Sequence, residues 1–246
     1  AGFQNTEVAI IYNKVHRNSG FQGAGGIAVS EDSKYYLVKN NIIIGNFSRF
    51  HGGGIAHIGR SDGGTIQGNK ITFNENFFGA ILLRAGDGGG IYMGGDLAGG
   101  TGAGFDLTID GNLIQGNMTG SGRGGGIRIA AFNGLDVRSI NDPDLICQLS
   151  AECPFPWPLF NVNITNNIIV NNIAGLDGGG ISLQDVSRAF IANNTIANND
   201  STMVGREGFP AGSLNSVPAP AGVSSHPHSA VLEFIWNEAH GQPGLA

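Results

Sequence analysis

Four chemically capable side chains occupy the same place in a recurring phrase of this sequence, immediately before a run of glycines. They are His51, Asp87, Arg123 and Asp177, and the first copy of the phrase has Gly23 there. Carboxylates beside a basic group are the residue types that perform general acid–base catalysis on glycosidic bonds. If the phrases stack at the spacing of parallel strands, Asp87, Arg123 and Asp177 lie within ~5–10 Å of one another. The alternative is an exposed edge whose alternating charges pair weakly.

Metal-ligating and redox candidates lie in a stretch that interrupts this recurrence. Asp142 and Asp144, in NDPDL, can supply oxygen ligands to Ca²⁺, although a Pro-bearing turn explains them as well. Cys147 and Cys153, in CQLSAEC, are close enough to close a small disulfide loop, which fits an oxidising compartment. No further Cys or His lies nearby to complete a metal site, so the disulfide is favoured. Ca²⁺ is the one ion we consider, and no cofactor is indicated.

Aromatic and histidine side chains offer further candidates. Phe155, Trp157 and Phe160 can form a platform on which sugar rings stack. The alternative, which we favour, is that they pack the surrounding insertion onto the rest of the fold. His57 follows Ile55 by two residues, so strand alternation turns its side chain inward. A core histidine with satisfied hydrogen bonds is favoured there over a ligand.

Two weak motifs match by letter only, and a histidine pair is a further weak candidate. GRSDG at residues 59–63 fits the nucleophile pattern around Ser61, and GSGRGG at residues 120–125 fits a dinucleotide-binding pattern. Both patterns require a helix to follow, and none is predicted after either one. His226 and His228, in SHPHS, form a short metal-like pair, but in a Pro-rich tail we interpret them as polar surface residues.

An internal repeat must position all of these side chains. The phrase Asn-x-Ile/Val-x-x-Asn occurs six times, opening at Asn13, Asn41, Asn69, Asn112, Asn167 and Asn194. A second phrase, AGGI or GGGI, ends at Ile27, Ile55, Ile91, Ile127 and Ile181. From the opening Asn to that Ile the distances are 14, 14, 22, 15 and 14 residues. A fixed distance between two fixed phrases indicates a structural repeat.

Each repeat unit is composed of short strands. Successive units start 28, 28, 43, 55 and 27 residues apart. Alternating apolar residues before the Asn, after it and after the glycines predict three strands per unit. The fold class is therefore all-β, a parallel β-helix of six to seven coils over residues 1–200. Insertions occupy about residues 75–87, 93–105 and 130–160, and an irregular tail or cap spans 201–246 with a possible strand at 231–236.

Stacking of the coils assigns a structural role to the repeated residues. One internal ladder contains the residues two places after each opening Asn, namely Val15, Ile43, Ile71, Ile114, Ile169 and Ile196. The Ile residues that end the glycine phrase form another. We expect the Asn residues to adopt left-handed backbone at the bends and to hydrogen-bond between coils. We expect the glycines to permit positive φ and close coil-to-coil approach.

These phrases resemble the right-handed parallel β-helix proteins of the pectin-lyase-like superfamily. FNEN at residues 73–76 and GNFSRFHGGGI at residues 45–55 are also similar to repeats of polymorphic outer-membrane and related bacterial surface proteins. The resemblance covers about residues 7–200 and is specific for architecture, because this fold hosts lyases, hydrolases, adhesins and scaffolds. It implies a calcium-binding acidic cluster with an Arg or Lys base for a lyase, or a set of Asp residues for a hydrolase. Neither pattern is clear here.

Composition narrows the partners and the compartment. Gly accounts for 42 of 246 residues, charged residues for 13%, and the net charge is −6, which argues against nucleic-acid or anionic-membrane partners. No apolar run approaches the ~18 residues of a membrane span. The chain starts at Ala1, so either a signal has been removed or this is a piece of a longer chain. We expect an extracellular or cell-surface location, with the periplasmic side as an alternative.

The sequence supports three functional hypotheses. The first is a non-catalytic scaffold, adhesion or assembly module whose open coil ends bind other protein chains or further copies. The second is a carbohydrate-active enzyme, a lyase or hydrolase, with Asp87, Arg123 and Asp177 as the candidate groups. The third is a glycan-binding module that uses Trp157 and its aromatic neighbours.

Overall fold

The chain folds into a parallel β-helix. The computed structural model describes residues 5–21, 23–77, 86–95, 101–134, 159–204, 208–209, 211–213 and 215–227. Within these ranges it forms 24 short strands in four all-parallel sheets of six strands each. Neighbours in every sheet come from successive coils, which is the right-handed parallel β-helix predicted from the sequence. No helix among the described residues has the length and apolar character that a membrane crossing requires.

The four sheets, here called A to D, run along the axis of the stack. Sheet A contains β1 (Ala9–Ile11), β5 (Leu37–Lys39), β9 (Thr65–Gln67), β13 (Leu107–Asp110), β17 (Asn161–Thr165) and β21 (Arg188–Ala192). Sheet B contains β2 (Lys14–His16), β6 (Ile42–Ile44), β10 (Lys70–Thr72), β14 (Leu113–Gln115), β18 (Ile168–Val170) and β22 (Thr195–Ala197). Sheet C contains β3 (Ser19–Gly20), β7 (Phe47–Ser48), β11 (Glu75–Asn76), β15 (Met118–Thr119), β19 (Ile173–Ala174) and β23 (Asp200–Ser201). Sheet D contains β4 (Ile27–Ser30), β8 (Ile55–Ile58), β12 (Ile91–Gly94), β16 (Ile127–Ala130), β20 (Ile181–Leu183) and β24 (Val223–Ser225).

The number of strands per coil corrects the sequence-based prediction of three. Sheet C supplies a fourth strand in each coil, and every strand in it is two residues long. Two residues are too few for apolar alternation to be recognised. The tail also contributes more than predicted, because β24 pairs with β20 and completes sheet D. The possible strand at residues 231–236 lies outside the described residues.

The two predicted apolar ladders form the core. Val15, Ile43, Ile71, Ile114, Ile169 and Ile196 are paired in register along sheet B. Ile27, Ile55, Ile91, Ile127 and Ile181 are paired along sheet D. In the middle coils these side chains are fully buried, and each contributes about 1.5–3 kcal/mol by its removal from water. A coil alone exposes this surface, so its stability depends on both neighbours.

The asparagines of the repeated phrase form two hydrogen-bonded ladders. The first ladder contains Asn13, Asn41, Asn69, Asn112, Asn167 and Asn194, joined through side-chain amides. The second ladder contains Asn18, Asn46, Asn74, Asn117, Asn172 and Asn199. The amide bonding was predicted, but the left-handed backbone belongs to the residue before each ladder Asn. At the first ladder those positive-φ residues are Tyr12, Asn40, Gly68, Gly111, Asn166 and Asn193. The bend and the hydrogen bonds are therefore made by different residues.

The glycines before sheet D allow the coils to approach closely, as predicted. A Cβ on Gly54 would lie 2.7 Å from the carbonyl oxygen of Gly90. A Cβ on Gly90 would lie 2.6 Å from the carbonyl oxygen of Gly126 in the next coil. Side chains at these places would separate the backbones, so glycine sets the stacking distance at the entrance to sheet D.

Candidate functional site

The column of side chains before the glycine run comes together at the entrance to sheet D. His51 and Asp87 are joined by an isolated parallel bridge. The backbone N–H of Arg123 donates to Asp87 Oδ1 at 2.8 Å, and its Nε donates to Asp177 Oδ2 at 3.0 Å. Arg123 therefore links the two carboxylates, as the repeat spacing predicted.

A second arginine, Arg128, which the repeated phrases do not single out, also binds Asp87. Arg128 is the second residue of β16, points outward from the coil and is only 2% exposed. Its Nε lies 3.5 Å from Asp87 Oδ2. Its Nη1 donates to Ser182 Oγ at 2.8 Å, and its Nη2 donates to Gln184 Oε1 at 2.6 Å. The alternation of Ile127, Arg128 and Ile129 predicts that the Arg128 side chain points away from the core. Nothing in the repeat indicated that the outer face of the sheet would be buried there.

The tail contributes the fifth member of the group. His226 lies just after β24, and its Nε2 is 2.7 Å from Asp177 Oδ1. The interpretation of His226 as a simple polar surface residue is therefore corrected, because it anchors the tail to the fifth coil. His228 lies outside the described residues. We call Asp87, Arg123, Arg128, Asp177 and His226 the charged cluster.

Asp177 is the most strongly held carboxylate of the charged cluster. Its side chain is 5% exposed and also accepts a hydrogen bond from Ser182 Oγ at 3.2 Å. Burial raises the pKa of Asp177, but the hydrogen bond and charge of His226 and the charge of Arg123 outweigh burial, so this pKa is lowered from its ordinary value. Asp177 therefore stays ionised at neutral pH.

Aromatic rings border the charged cluster on its N-terminal side. The imidazole of His51 stacks on the ring of Tyr92, with centroids 4.3 Å apart and planes 19° apart. Tyr92 is 6% exposed, and burial, aided by the negative charge of Asp87, raises its pKa to about 12. One outward column of sheet D is thus buried, namely Ala56, Tyr92, Arg128 and Ser182. In the column before the glycine run, the side chains of Asp87, Arg123 and Asp177 are 14%, 22% and 5% exposed, which corrects the alternative of an exposed edge there.

The chemical capacity of the charged cluster follows from these contacts. A general acid needs a carboxyl group whose pKa is raised towards neutrality, and that of Asp177 is lowered. The two guanidinium groups offer only donors, which the neighbouring carboxylates, hydroxyl and amide oxygen accept. The charged cluster therefore has a structural role. Asp87, Arg123 and Asp177 lie before β12, β16 and β20, so their contacts join three successive coils. His226 joins the tail to the same group.

Of the three aromatic candidates, Phe160 lies within the described residues, and it packs inside the fold. Phe160 is fully buried and meets Phe105 edge to face, with ring centroids 4.6 Å apart. The guanidinium carbon of Arg60 lies 5.4 Å from the centre of the Phe160 ring. A sugar cannot stack on a ring in that position, so the assignment of Phe160 to a glycan platform is corrected and the packing alternative holds for it.

The remaining candidates of the long insertion lie outside the described residues, and they are Asp142, Asp144, Cys147, Cys153, Phe155 and Trp157. Their roles stay predictions. Among the residues that the structure does describe, no group of three His, Cys, Asp or Glu side chains is arranged to hold a metal ion.

His57 is a core histidine, as predicted. Its Nε2 lies 2.9 Å from the carbonyl oxygens of both Gly59 and Ala103, and its Nδ1 lies 2.9 Å from the Tyr36 hydroxyl. Two acceptors at Nε2 require the proton there, so Tyr36 donates to Nδ1. Burial lowers the pKa of His57 to about 4, against the raising effect of the two backbone carbonyls.

Ser61, the serine of the GRSDG motif, is likewise structural. It is fully buried, and its Oγ donates to the Ser30 carbonyl at 3.0 Å. The same Oγ accepts from the backbone N–H of Ser33 at 3.0 Å. Both partners belong to the preceding coil, so the hydroxyl ties two coils together and is not aimed at a substrate.

Comparison with known proteins gives no family assignment. Neither a protein-family model, nor a curated protein, nor a solved structure matches this chain. The function is therefore inferred from the fold and the charged cluster alone.

Proposed function

We propose that this chain is a non-catalytic β-helix scaffold that acts in adhesion or assembly outside the cell or at its surface. The observation that carries the proposal is the state of the charged cluster. Asp177 is bound by Arg123, His226 and Ser182, which leaves it ionised and fully engaged. Its partners come from three separate segments of the chain, as expected of a group that fastens the fold. The resemblance to pectin-lyase-like and bacterial surface repeats supports the fold and the location.

A second candidate function is a carbohydrate-active enzyme of the lyase or hydrolase type. One observation favours it, namely that Arg123 and Arg128 converge with Asp87 and Asp177 beside sheet D.

Two substitutions separate these functions. Asp177→Asn removes the charge that Arg123 and His226 share, so we expect the free energy of unfolding to fall by roughly 3–5 kcal/mol. Asp200→Asn, at an exposed carboxylate of β23, is the matched control and should change stability by less than about 0.5 kcal/mol. Denaturant unfolding measures both.

The same variants are assayed on uronic-acid polymers and neutral polysaccharides. Reducing ends report hydrolysis, and the absorbance of unsaturated uronates reports elimination. A scaffold gives no product above the blank with the wild-type chain. Turnover by the wild-type chain that is lost in Asp177→Asn but retained in Asp200→Asn would establish the enzyme and end the scaffold proposal.

A further inference from the structure

The two asparagine ladders have a direction. Between the second and third coils, the backbone N–H and Nδ2 of Asn41 donate to Asn69 Oδ1 at 2.9 and 3.0 Å. Every step of both ladders repeats this pattern, with the earlier coil donating and the later coil accepting. The stack therefore ends in acceptors at one end and in donors at the other.

The first coil presents the acceptor end. Asn13 and Asn18 donate to the second coil, and no described residue donates to the Oδ1 atom of either one. Both side chains are exposed. The last coil presents the donor end, where the described residues offer no acceptor to the backbone N–H of Asn194 or Asn199. Asn194 is partly exposed, whereas Asn199 is buried, so Asn194 is the donor that a neighbouring molecule can reach.

Backbone hydrogen bonds beside the ladders run in the opposite direction, from the later coil to the earlier one. The N–H that opens each sheet B strand donates to the carbonyl of the ladder Asn in the preceding coil, as in Ile42 to Asn13 at 2.8 Å and Thr195 to Asn167 at 2.8 Å. At the first coil the corresponding N–H belongs to Lys14. At the last coil the corresponding carbonyl belongs to Asn194. Neither group has a backbone partner among the described residues of a neighbouring coil, because each lies on an outer edge of the sheet.

Apolar surface and charge match across the same two ends. A cavity of about 290 Å³ opens at the first coil, and its lining includes Val8, Ile10 and Val29. The inward residues of the last coil, Ile191 and Ile196, are only partly buried. The sheet A register, extended by one step, places Arg188 against Glu7, and both side chains are exposed.

We propose that copies of this chain stack head to tail, with the first coil of one copy seated on the last coil of another. In the stacked pair Asn194 donates to Asn13, Lys14 N–H donates to the Asn194 carbonyl, and Arg188 faces Glu7. The contact is heterologous and does not close on itself, so it generates linear filaments. The proposal rests on the scaffold function and names its partner as the same chain.

The first test removes one outward N–H. Lys14→Pro deletes the donor at the edge of β2, a position that proline tolerates in an edge strand, and Lys14→Ala keeps the N–H as the matched control. Sedimentation velocity of the 246-residue chain over a concentration series should show mass increasing with concentration for wild type and Lys14→Ala. The Lys14→Pro variant should associate at least tenfold more weakly, with an unchanged far-ultraviolet circular dichroism spectrum. Equal association of the proline and alanine variants would overturn the stacking.

The second test fixes the orientation of the copies. Glu7→Arg and Arg188→Glu each place like charges across the junction and should weaken association roughly 2–5-fold. The double variant restores opposite charges and should recover wild-type association, which no other mode of contact predicts. Fibre diffraction of the assemblies should show a ~4.8 Å spacing along the fibre axis.

Failure of the stacking is separable from failure of the scaffold function. A wild-type chain that stays monomeric at every concentration overturns the stacking. Glycan turnover overturns the scaffold function, whatever the association state.

Discussion

The imidazole of His57 occupies a place in sheet D where its neighbours along the column are apolar. Val29 and Met93 are its partners in the preceding and following coils. His57 replaces an apolar contact by three polar ones, to Tyr36, Gly59 and Ala103. All three partners are themselves removed from water near His57, so the neutral imidazole satisfies groups that would otherwise be buried without hydrogen bonds.

Stability should therefore depend on pH through His57. Its pKa is about 4 in the folded chain and 6.5 in the unfolded chain, so the unfolded state takes up the proton first as pH falls. The stabilising contribution is complete above pH 6.5 and is lost between pH 6.5 and about 4, by up to about 3 kcal/mol. Denaturant unfolding from pH 7.5 to 4 measures this decline.

Two variants attribute the pH dependence to this side chain. His57→Met introduces the residue type that Met93 has at the equivalent position of the next coil. It should lower the free energy of unfolding at neutral pH, because Tyr36 and the two carbonyls lose their hydrogen-bond partner. It should also flatten the decline below pH 6.5. His16→Gln, at an exposed position of β2, should leave the decline in place. An unchanged pH slope in His57→Met would show that another group is responsible.

The strands are too short to be stable elements on their own, and their ends define the coil. A left-handed residue followed by a ladder Asn closes sheet A, and a run of glycines opens sheet D. The left-handed residue needs a permissive backbone, whereas the glycines need empty space beside the next coil. Substitution of a glycine that needs positive φ should therefore change stability differently from substitution of a glycine that contacts the next coil.

Gly90 and Gly111 make this contrast measurable. Gly90→Ala places a Cβ 2.6 Å from the Gly126 carbonyl oxygen and should destabilise the fold by roughly 1–3 kcal/mol or more. Gly111 has φ +62 with nothing within 4 Å of its Cβ position, and Asn already occupies the equivalent place in three other coils. Gly111→Asn should stay within about 0.5 kcal/mol of wild type. Thermal and denaturant unfolding decide between these outcomes, and equal losses would contradict the assignment of two roles.

At the scale of the whole molecule, the repeat made the architecture predictable, because each coil must place equivalent residues in one register. It also brought Asp87, Arg123 and Asp177 together, since their column is part of the repeat. Features outside the repeat were not predictable. Sheet C has two residues per strand, and His226 reaches Asp177 from 49 residues further along the chain. Neither periodicity nor spacing carries information about such contacts.

The unequal spacing of the coils has a consequence for the order of folding. Neighbouring ladder asparagines are 28 residues apart in the first three coils and 27 in the last two, but 43 and 55 on either side of the fourth coil. Closing a loop twice as long costs about 0.6 kcal/mol more in chain entropy. The fourth coil, which has both long connections, should thus dock after its neighbours have formed. Pulse-labelled hydrogen exchange during refolding should protect amides of β6 and β18 before those of β14, and simultaneous protection would indicate that nucleation ignores loop length. The long connections thus determine the order of assembly. Coils one to three and coils five and six form first as two short solenoids, and the fourth coil then joins them.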